Sequence, residues 1–235
     1  MDKELASKIE SRIFDININY QTVTNLCYEA IRFGFYSVQV FPSQVEMCKE
    51  VLEESQVKIN ALISYPHGGF TPEQKAMEAL DAIERGADEV EVVMNTREAK
   101  SQNFDFIENE MKTVVDAVKG KGSKDVTIKF IIEIECLTFD EIAETCKKAK
   151  LAEIDYIVTS TGLYSSLDKE RNDVPLHADP LEVAFIKSLV RDNVKIQAQG
   201  YIKNYSHAVS LLGAGADRIA TEHAKDVMKG GREYV

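Results

Sequence analysis

Apolar positions along the chain follow two alternating periods. Short runs rich in β-branched and aromatic residues recur at Ile13–Asn17, Phe35–Phe41, Lys58–Tyr65, Glu89–Asn95, Val126–Glu135, Asp155–Thr159, Val194–Gln199 and Arg218–Thr221, and these read as strands. Longer amphipathic segments separate them, near 20–33, 43–54, 71–85, 103–119, 138–151, 179–190, 205–213 and 222–229, and these read as helices. One segment shows the logic. Ala76, Ala79, Leu80 and Ile83 fall at the i, i+3, i+4, i+7 spacing of a helix with one buried face. Thr71 precedes it as an N-cap, Pro72 fits the first helical position and Glu73 suits the positive end of the helix dipole. Gly86 ends it, and Val90, Val92 and Val93 begin the next strand. The phrase Gly-Ala-Asp at 86–88 returns at 215–217 before the last strand.

Strands that alternate with helices build a parallel sheet. Eight such units in 235 residues come to about 29 residues each, which fits a compact (β/α)8 TIM barrel forming a single domain over 1–235. A doubly wound open sheet is the alternative. It is disfavoured by the number of units and by the lack of a glycine-rich dinucleotide fingerprint after the first strand. In a barrel, chemistry belongs at the C-terminal ends of the strands.

Composition narrows the function. The 39 acidic residues exceed the 28 Lys and Arg, giving a formal charge of −11, which argues against a nucleic-acid partner because phosphate binding needs a basic stripe. No apolar run approaches the ~20 residues of a membrane span, and the charged N-terminus lacks the apolar centre of a signal peptide. Cys27, Cys48, Cys136 and Cys146 are scattered without a CxxC or zinc spacing, as expected of reduced thiols in a cytoplasmic protein. The basic stretch KGKGSK at 119–124 reads as a solvated loop.

Three stretches carry more than a generic signal. They are ISYPHGGFTPEQKAMEALDAIERGADEVEVVMN at 63–95, IKFIIEIECLTFDEI at 128–142 running on to DYIVTSTG at 155–162, and VKIQAQGYIKNYSHAVSLLGAGADRIAT at 194–221. Together they resemble deoxyribose-phosphate aldolase, in order, from about Phe14 to Thr221. The resemblance implies a (β/α)8 enzyme that makes or breaks a carbon–carbon bond through a lysine Schiff base. In that family the imine-forming lysine directly precedes a Thr-Ser-Thr-Gly turn. Here the turn is intact at Thr159, Ser160, Thr161 and Gly162, but Val158 precedes it, and a valine has no nucleophile. A second family lysine, on the seventh strand, lowers the pKa of the first; here Gln197 stands in its place. The family's proton-relaying Asp on the fourth strand corresponds to Glu91, and its lysine and acid on the fifth correspond to Lys129 and Glu133.

The family's phosphate cup is altered as well. Gly200 is kept, but its partner glycine is Tyr201, whose ring could fill the cup. The stretch that opens the last helix reads Ala220, Thr221, Glu222, His223, and a carboxylate at 222 would repel a dianion. The expected mouth is therefore much less positive than the family's. The substrate-binding candidates are Thr159, Ser160, Thr161, Gly162, Gln197, Gly200 and Thr221.

The catalytic candidates are Glu91, Lys129, Glu133 and Asp15. Alternation along the fifth strand would put Lys129, Ile131, Glu133 and Glu135 on one face. That face is either a pocket wall or a Lys129–Glu133 pair filling a barrel layer. Lys129 as a relocated imine-forming lysine is a sharper reading, set against its place near the start of the strand. Glu91 is either a general base or a buried partner of Lys129. Asp15, at the end of the expected first strand, is an active-site acid or a cap. His67 and His223 read as loop and first-turn residues. A metal held by Glu91, Glu133, Glu135 and His223 lacks ligand spacing, so no metal or other cofactor is expected.

Three functions remain open. One is a lyase of aldolase type acting on a small carbonyl or sugar-like compound, with ordinary Schiff-base activity absent or very low. Another is a catalytically inactive family member serving as a binding or scaffold protein. The third is an imine-independent lyase or isomerase using Glu91 and Glu133. The expected partner is a small carbonyl or sugar-like ligand, and the resemblance makes a homodimer the candidate assembly.

Overall fold

A computed structural model describes residues 2–15, 17–120, 125–163 and 178–230. Residues 121–124 of the basic stretch lie outside the described residues. Eight parallel strands close into a barrel in sequence order: β1 Ile9–Arg12, β2 Ser37–Val40, β3 Lys58–Ile63, β4 Glu89–Val93, β5 Thr127–Ile131, β6 Tyr156–Val158, β7 Lys195–Gln199 and β8 Arg218–Thr221. β8 pairs back to β1 through Ile9–Ile219 and Ser11–Thr221. Around it run α1 Lys3–Ala6, α2 Tyr20–Phe33, α3 Val45–Leu52, α4 Pro72–Arg85, α5 Thr96–Lys100, α6 Phe104–Gly120, α7 Phe139–Ala152, α8 Pro180–Val190, α9 Tyr205–Gly213 and α10 Ala224–Gly230. The main core lies between barrel and helices. Among the described residues no helix is long and apolar enough to cross a membrane.

The expected start of α4 is realised as a reciprocal cap. Thr71 Oγ1 accepts from the Gln74 amide, and the Gln74 side chain accepts from the Thr71 amide at 3.0 Å. Gly86 then closes the helix at φ +114°, a conformation that favours glycine. The Gly-Ala-Asp phrase also has a structural role. Asp88 starts β4 by accepting from the Ile59 amide of β3 at 2.9 Å, and Asp217 does the same for Ile196 of β7. Asp155 accepts from Ile128 of β5 at 2.8 Å. Each carboxylate satisfies a donor at the foot of the preceding strand and fixes the register of the pair.

Two strands differ from the sequence reading. The first strand is Ile9–Arg12, not Ile13–Asn17. The apolar residues that suggested the later span serve another purpose: Phe14 lies over the barrel mouth, while Ile13 and Ile18 pack on the outer core. The fifth strand stops at Ile131. Glu133 takes a left-handed conformation, φ 53°, and Ile134–Cys136 forms a 3-10 turn, so the alternation does not reach Glu135.

A fully buried ion pair pins the C-terminal end of β4. Lys75 of α4 donates to Glu110 of α6 at 2.6 Å and to the Val93 carbonyl at 2.7 Å, while Glu110 accepts from the Asn95 amide. Removing one partner strands the other charge away from water. Lys75→Met is therefore expected to cost about 3–5 kcal/mol in urea unfolding, and the Lys75→Met/Glu110→Leu double variant much less. Equal losses in both would show that the pair itself, and not a stranded charge, carries the stability.

Candidate active site

Side chains alternate in and out along each strand, so the paired registers define tiers inside the barrel. The basal tier holds Ser37, Glu89, Tyr156 and Arg218. Above it come Glu10, Asn60, Lys129 and Gln197, then Gln39, Glu91, Val158 and Ala220, then Arg12, Leu62, Ile131 and Gln199. All of these are buried.

The lower tiers form one ionic network around Lys129. Its Nζ lies 2.9 Å from Glu10, 2.7 Å from Glu89 and 3.9 Å from Glu91, and donates to Gln197 Oε1 at 2.9 Å. Arg218 pairs with Glu89 at 2.7 Å and lies over the rings of Tyr36 and Tyr156. Asn60 donates to Glu10 and Glu91, and so does Gln197 through Nε2. Burial alone would depress the Lys129 pKa, but Glu10, Glu89 and Glu91 outweigh it and hold the amine above its ordinary range. Lys129 is thus a fixed ammonium. Burial first, and Glu10 second, push the Glu91 carboxyl up to about 7.

The structure separates several expected partners. Glu133 does not pair with Lys129. It sits at the mouth, where it accepts from the Thr161 amide at 3.0 Å and from Ser160 Oγ, and burial raises its carboxyl to about 7. Asp15 is exposed in the loop after β1 and accepts from the Asn17 amide, so it closes a turn outside the barrel interior. Misplacing the first strand by four residues hid the interior acid, Glu10. Thr159 and Thr221 spend their hydroxyls on structure: Thr159 Oγ1 exchanges hydrogen bonds with the Gln199 backbone, and Thr221 Oγ1 donates to the Ile202 carbonyl. Among the described residues no three His, Cys, Asp or Glu side chains converge as a metal would require.

The mouth is divided. On the β3–β6 side, Val158 packs with Leu62, Val93 and Ile131, and Phe14, Phe41 and Tyr65 cover them. Phe14 and Tyr65 have ring centroids 5.1 Å apart. On the β7–β2 side the lining is polar, and here the sequence reading missed Arg12. Its guanidinium is buried, donates to the Thr161 carbonyl at 2.6 Å and lies 3.5 Å from Glu222. The inward frame of the true first strand was the signal that could have found both Glu10 and Arg12. The mouth carries one buried cation from β1 that the expected strand boundaries had left out. Gly162, at φ +80°, brings backbone close to this guanidinium and to Gly200, itself at φ +143°. Tyr201 does not fill the cup. It is half exposed at the rim, edge-on to His223 and under Lys203.

No family model matches the sequence. The chain is 35% identical over 217 residues to a deoxyribose-phosphate aldolase of Clostridium kluyveri, covering 92% of this chain and 93% of that protein. It is 34% identical over 230 residues to a deoxyribose-phosphate aldolase of a Geobacillus species, covering 98% of this chain and 97% of that one. Among solved structures, the tetrameric deoxyribose phosphate aldolase of Aeropyrum pernix matches with a TM-score of 0.86 at 27% identity, covering 99% of this chain and 93% of that one.

The raised carboxyls of Glu91 and Glu133 give a pH signature. Each keeps its proton in the folded state above the ordinary 4.5, where the unfolded chain has released it. Their contribution therefore weakens as pH rises from about 4.5 to about 7, by at most ~1.4 kcal/mol per pH unit for each group. Urea unfolding free energies should fall between pH 5 and 7, with a shallower fall in Glu91→Gln. A wild-type stability that rises over this interval would contradict the assignment.

Proposed function

The chain belongs to the deoxyribose-phosphate aldolase family, and on that premise we propose that it is a divergent member. In this reading its mouth receives a small carbonyl or sugar-like compound without forming an imine with deoxyribose 5-phosphate. One observation carries the proposal: the place assigned to the imine-forming lysine is Val158, set in an apolar cluster with Leu62, Val93 and Ile131. An imine needs a free primary amine beside the substrate carbonyl. The buried lysine nearest in tier, Lys129, is held protonated by Glu10, Glu89 and Glu91. Its lone pair is unavailable, so Lys129 acts as a fixed counter-ion and not as a relocated nucleophile. Gln197 supports the same reading, because it holds the network together as an amide and brings no second cation.

A second reading draws on the carboxyls. Glu91 and Glu133 both titrate near neutral pH, where a group can accept and return a proton in one turnover. Glu133 lies at the mouth against Ser160 and Thr161 and is the better placed of the two. This favours enolisation or isomerisation of a carbonyl compound over a purely scaffolding role.

Borohydride reduction in the presence of deoxyribose 5-phosphate tests the first reading. The protein should gain no covalent adduct by intact-mass analysis. An adduct on any lysine would overturn the proposal, and one on Lys129 would identify a relocated imine site. The second reading requires Glu133→Gln to lower turnover of a responsive carbonyl substrate by about 10²–10⁴-fold while KM changes little. A fall of less than tenfold would remove Glu133 from the chemistry.

A further inference from the structure

The polar half of the mouth contains buried groups that the network below does not use. Gln39 is fully buried on β2, and both its Oε1 and Nε2 lack a hydrogen-bond partner among the described residues. The same holds for Gln199 Nε2 and for Arg12 Nη1. Arg12 and Gln39 are register partners on β1 and β2, while Gln199 pairs with Ala220 across β7 and β8. These three side chains and the small side chain of Ala220 face inward from four consecutive strands, β7, β8, β1 and β2. An unpaired buried polar group costs about 1–3 kcal/mol, more when charged. Four such atoms from three neighbouring side chains describe a binding surface better than a packing defect.

A cavity of about 50 Å³ lies directly mouthward of this group, between Arg12, Gly162, Gly200, Tyr201, Glu222 and His223. It is several times larger than the ~10–15 Å³ that one water needs. Of the three side chains Arg12 lines the cavity itself, and Gln39 and Gln199 face the barrel interior beside it. Arg12, Gln39 and Gln199 supply three N–H donors, one of them charged, and Gln39 supplies one acceptor. Arg12 keeps Nη2 on the Thr161 carbonyl and leaves the Nη1 edge open. Guanidinium edges recognise planar carboxylates well. Glu222 at 3.5 Å from the guanidinium places a negative charge on the rim, which tolerates a monoanion held by Arg12 but opposes a dianion.

We propose that Arg12, Gln39 and Gln199 form a buried site for a short monocarboxylate, entered past Gly162 and Gly200. Its carboxylate oxygens accept from Arg12 Nη1 and from the two glutamine amides. A hydroxyl next to the carboxylate donates to Gln39 Oε1. The proposal rests on the reading of this mouth as the ligand site, and it specifies the ligand's head group.

Isothermal titration with glycolate, and separately with inorganic phosphate, provides the test. Wild type should bind glycolate saturably at one site per chain and at least tenfold more tightly than phosphate. Arg12→Gln and Gln39→Leu should each weaken glycolate at least tenfold. Gln39→Leu removes two unpaired polar atoms, so it should fold with an unchanged or higher Tm, and its loss of binding would not reflect unfolding. Glu222→Gln, at the exposed rim, should narrow the preference over phosphate. The site is overturned if wild type does not bind glycolate, if Gln39→Leu binds it as well as wild type, or if phosphate binds as tightly. If wild type binds neither ion, water alone occupies the pocket. Borohydride trapping reads imine chemistry and not this pocket, so failure of either proposal is visible without the other.

Discussion

The interior of this barrel is organised by one buried ammonium. Lys129 touches Glu10 of β1, Glu89 and Glu91 of β4, and Gln197 of β7. The closed barrel brings them together because its strands deliver side chains from all directions to one axis. The dependence is mutual. A charge removed from water needs nearby partners, and these partners tolerate burial only with the ammonium between them.

Counting charges explains why Glu91 differs from its neighbours. The lower tiers contain three carboxylates, Glu10, Glu89 and Glu91, but only two cations, Lys129 and Arg218. Glu89 contacts both cations, and its carboxyl lies below the ordinary range despite burial. Glu91 reaches Lys129 only at 3.9 Å, so it carries the excess as a raised pKa. Gln197 fits that balance. Its amide accepts from Lys129 while donating to Glu10 and Glu91, which a second ammonium could not do. The amide at 197 and the protonatable acid at 91 are two sides of one electrostatic arrangement.

Much of the fold was legible in the sequence. The period switch, the Thr71 cap and the Gly-Ala-Asp phrase are local signals, and each is realised in α4, β4 and β8. The site was legible only in part. Val158, Gln197 and the Thr159–Gly162 turn fell where the pattern put them, because β6 and β7 have unambiguous boundaries. Glu10 and Arg12 were missed because Ile13, Phe14 and Ile18 imitate a strand while serving as loop residues packed on the mouth and the outer core. Periodicity detects burial, and it cannot tell a buried strand from a loop that covers a core. The overextended fifth strand has the same cause. The positive φ at Glu133 is invisible in a run of alternating Ile and Glu.

These two errors change the picture of the mouth. With Ile13–Asn17 as a strand, the upper barrel appears to lose cations and gain only Glu222. With Ile9–Arg12 as the strand, Arg12 enters the mouth with its guanidinium 4.3 Å from the centroid of the Phe14 ring and meets Glu222 at the rim. The mouth then has two unlike halves. Val158 packs against Leu62, Val93 and Ile131, and Phe14, Phe41 and Tyr65 cover the surface. Around Arg12 there are donors, an acceptor and two glycines that let backbone approach closely. A ligand that needs polar contacts finds them on the β7–β2 side, away from Val158. The carboxyl within the same rim is Glu133, linked to Arg12 through Thr161: its carboxylate takes the Thr161 amide while the guanidinium takes the Thr161 carbonyl. One peptide segment thus joins the buried cation of β1 to a carboxyl that burial raises to about 7.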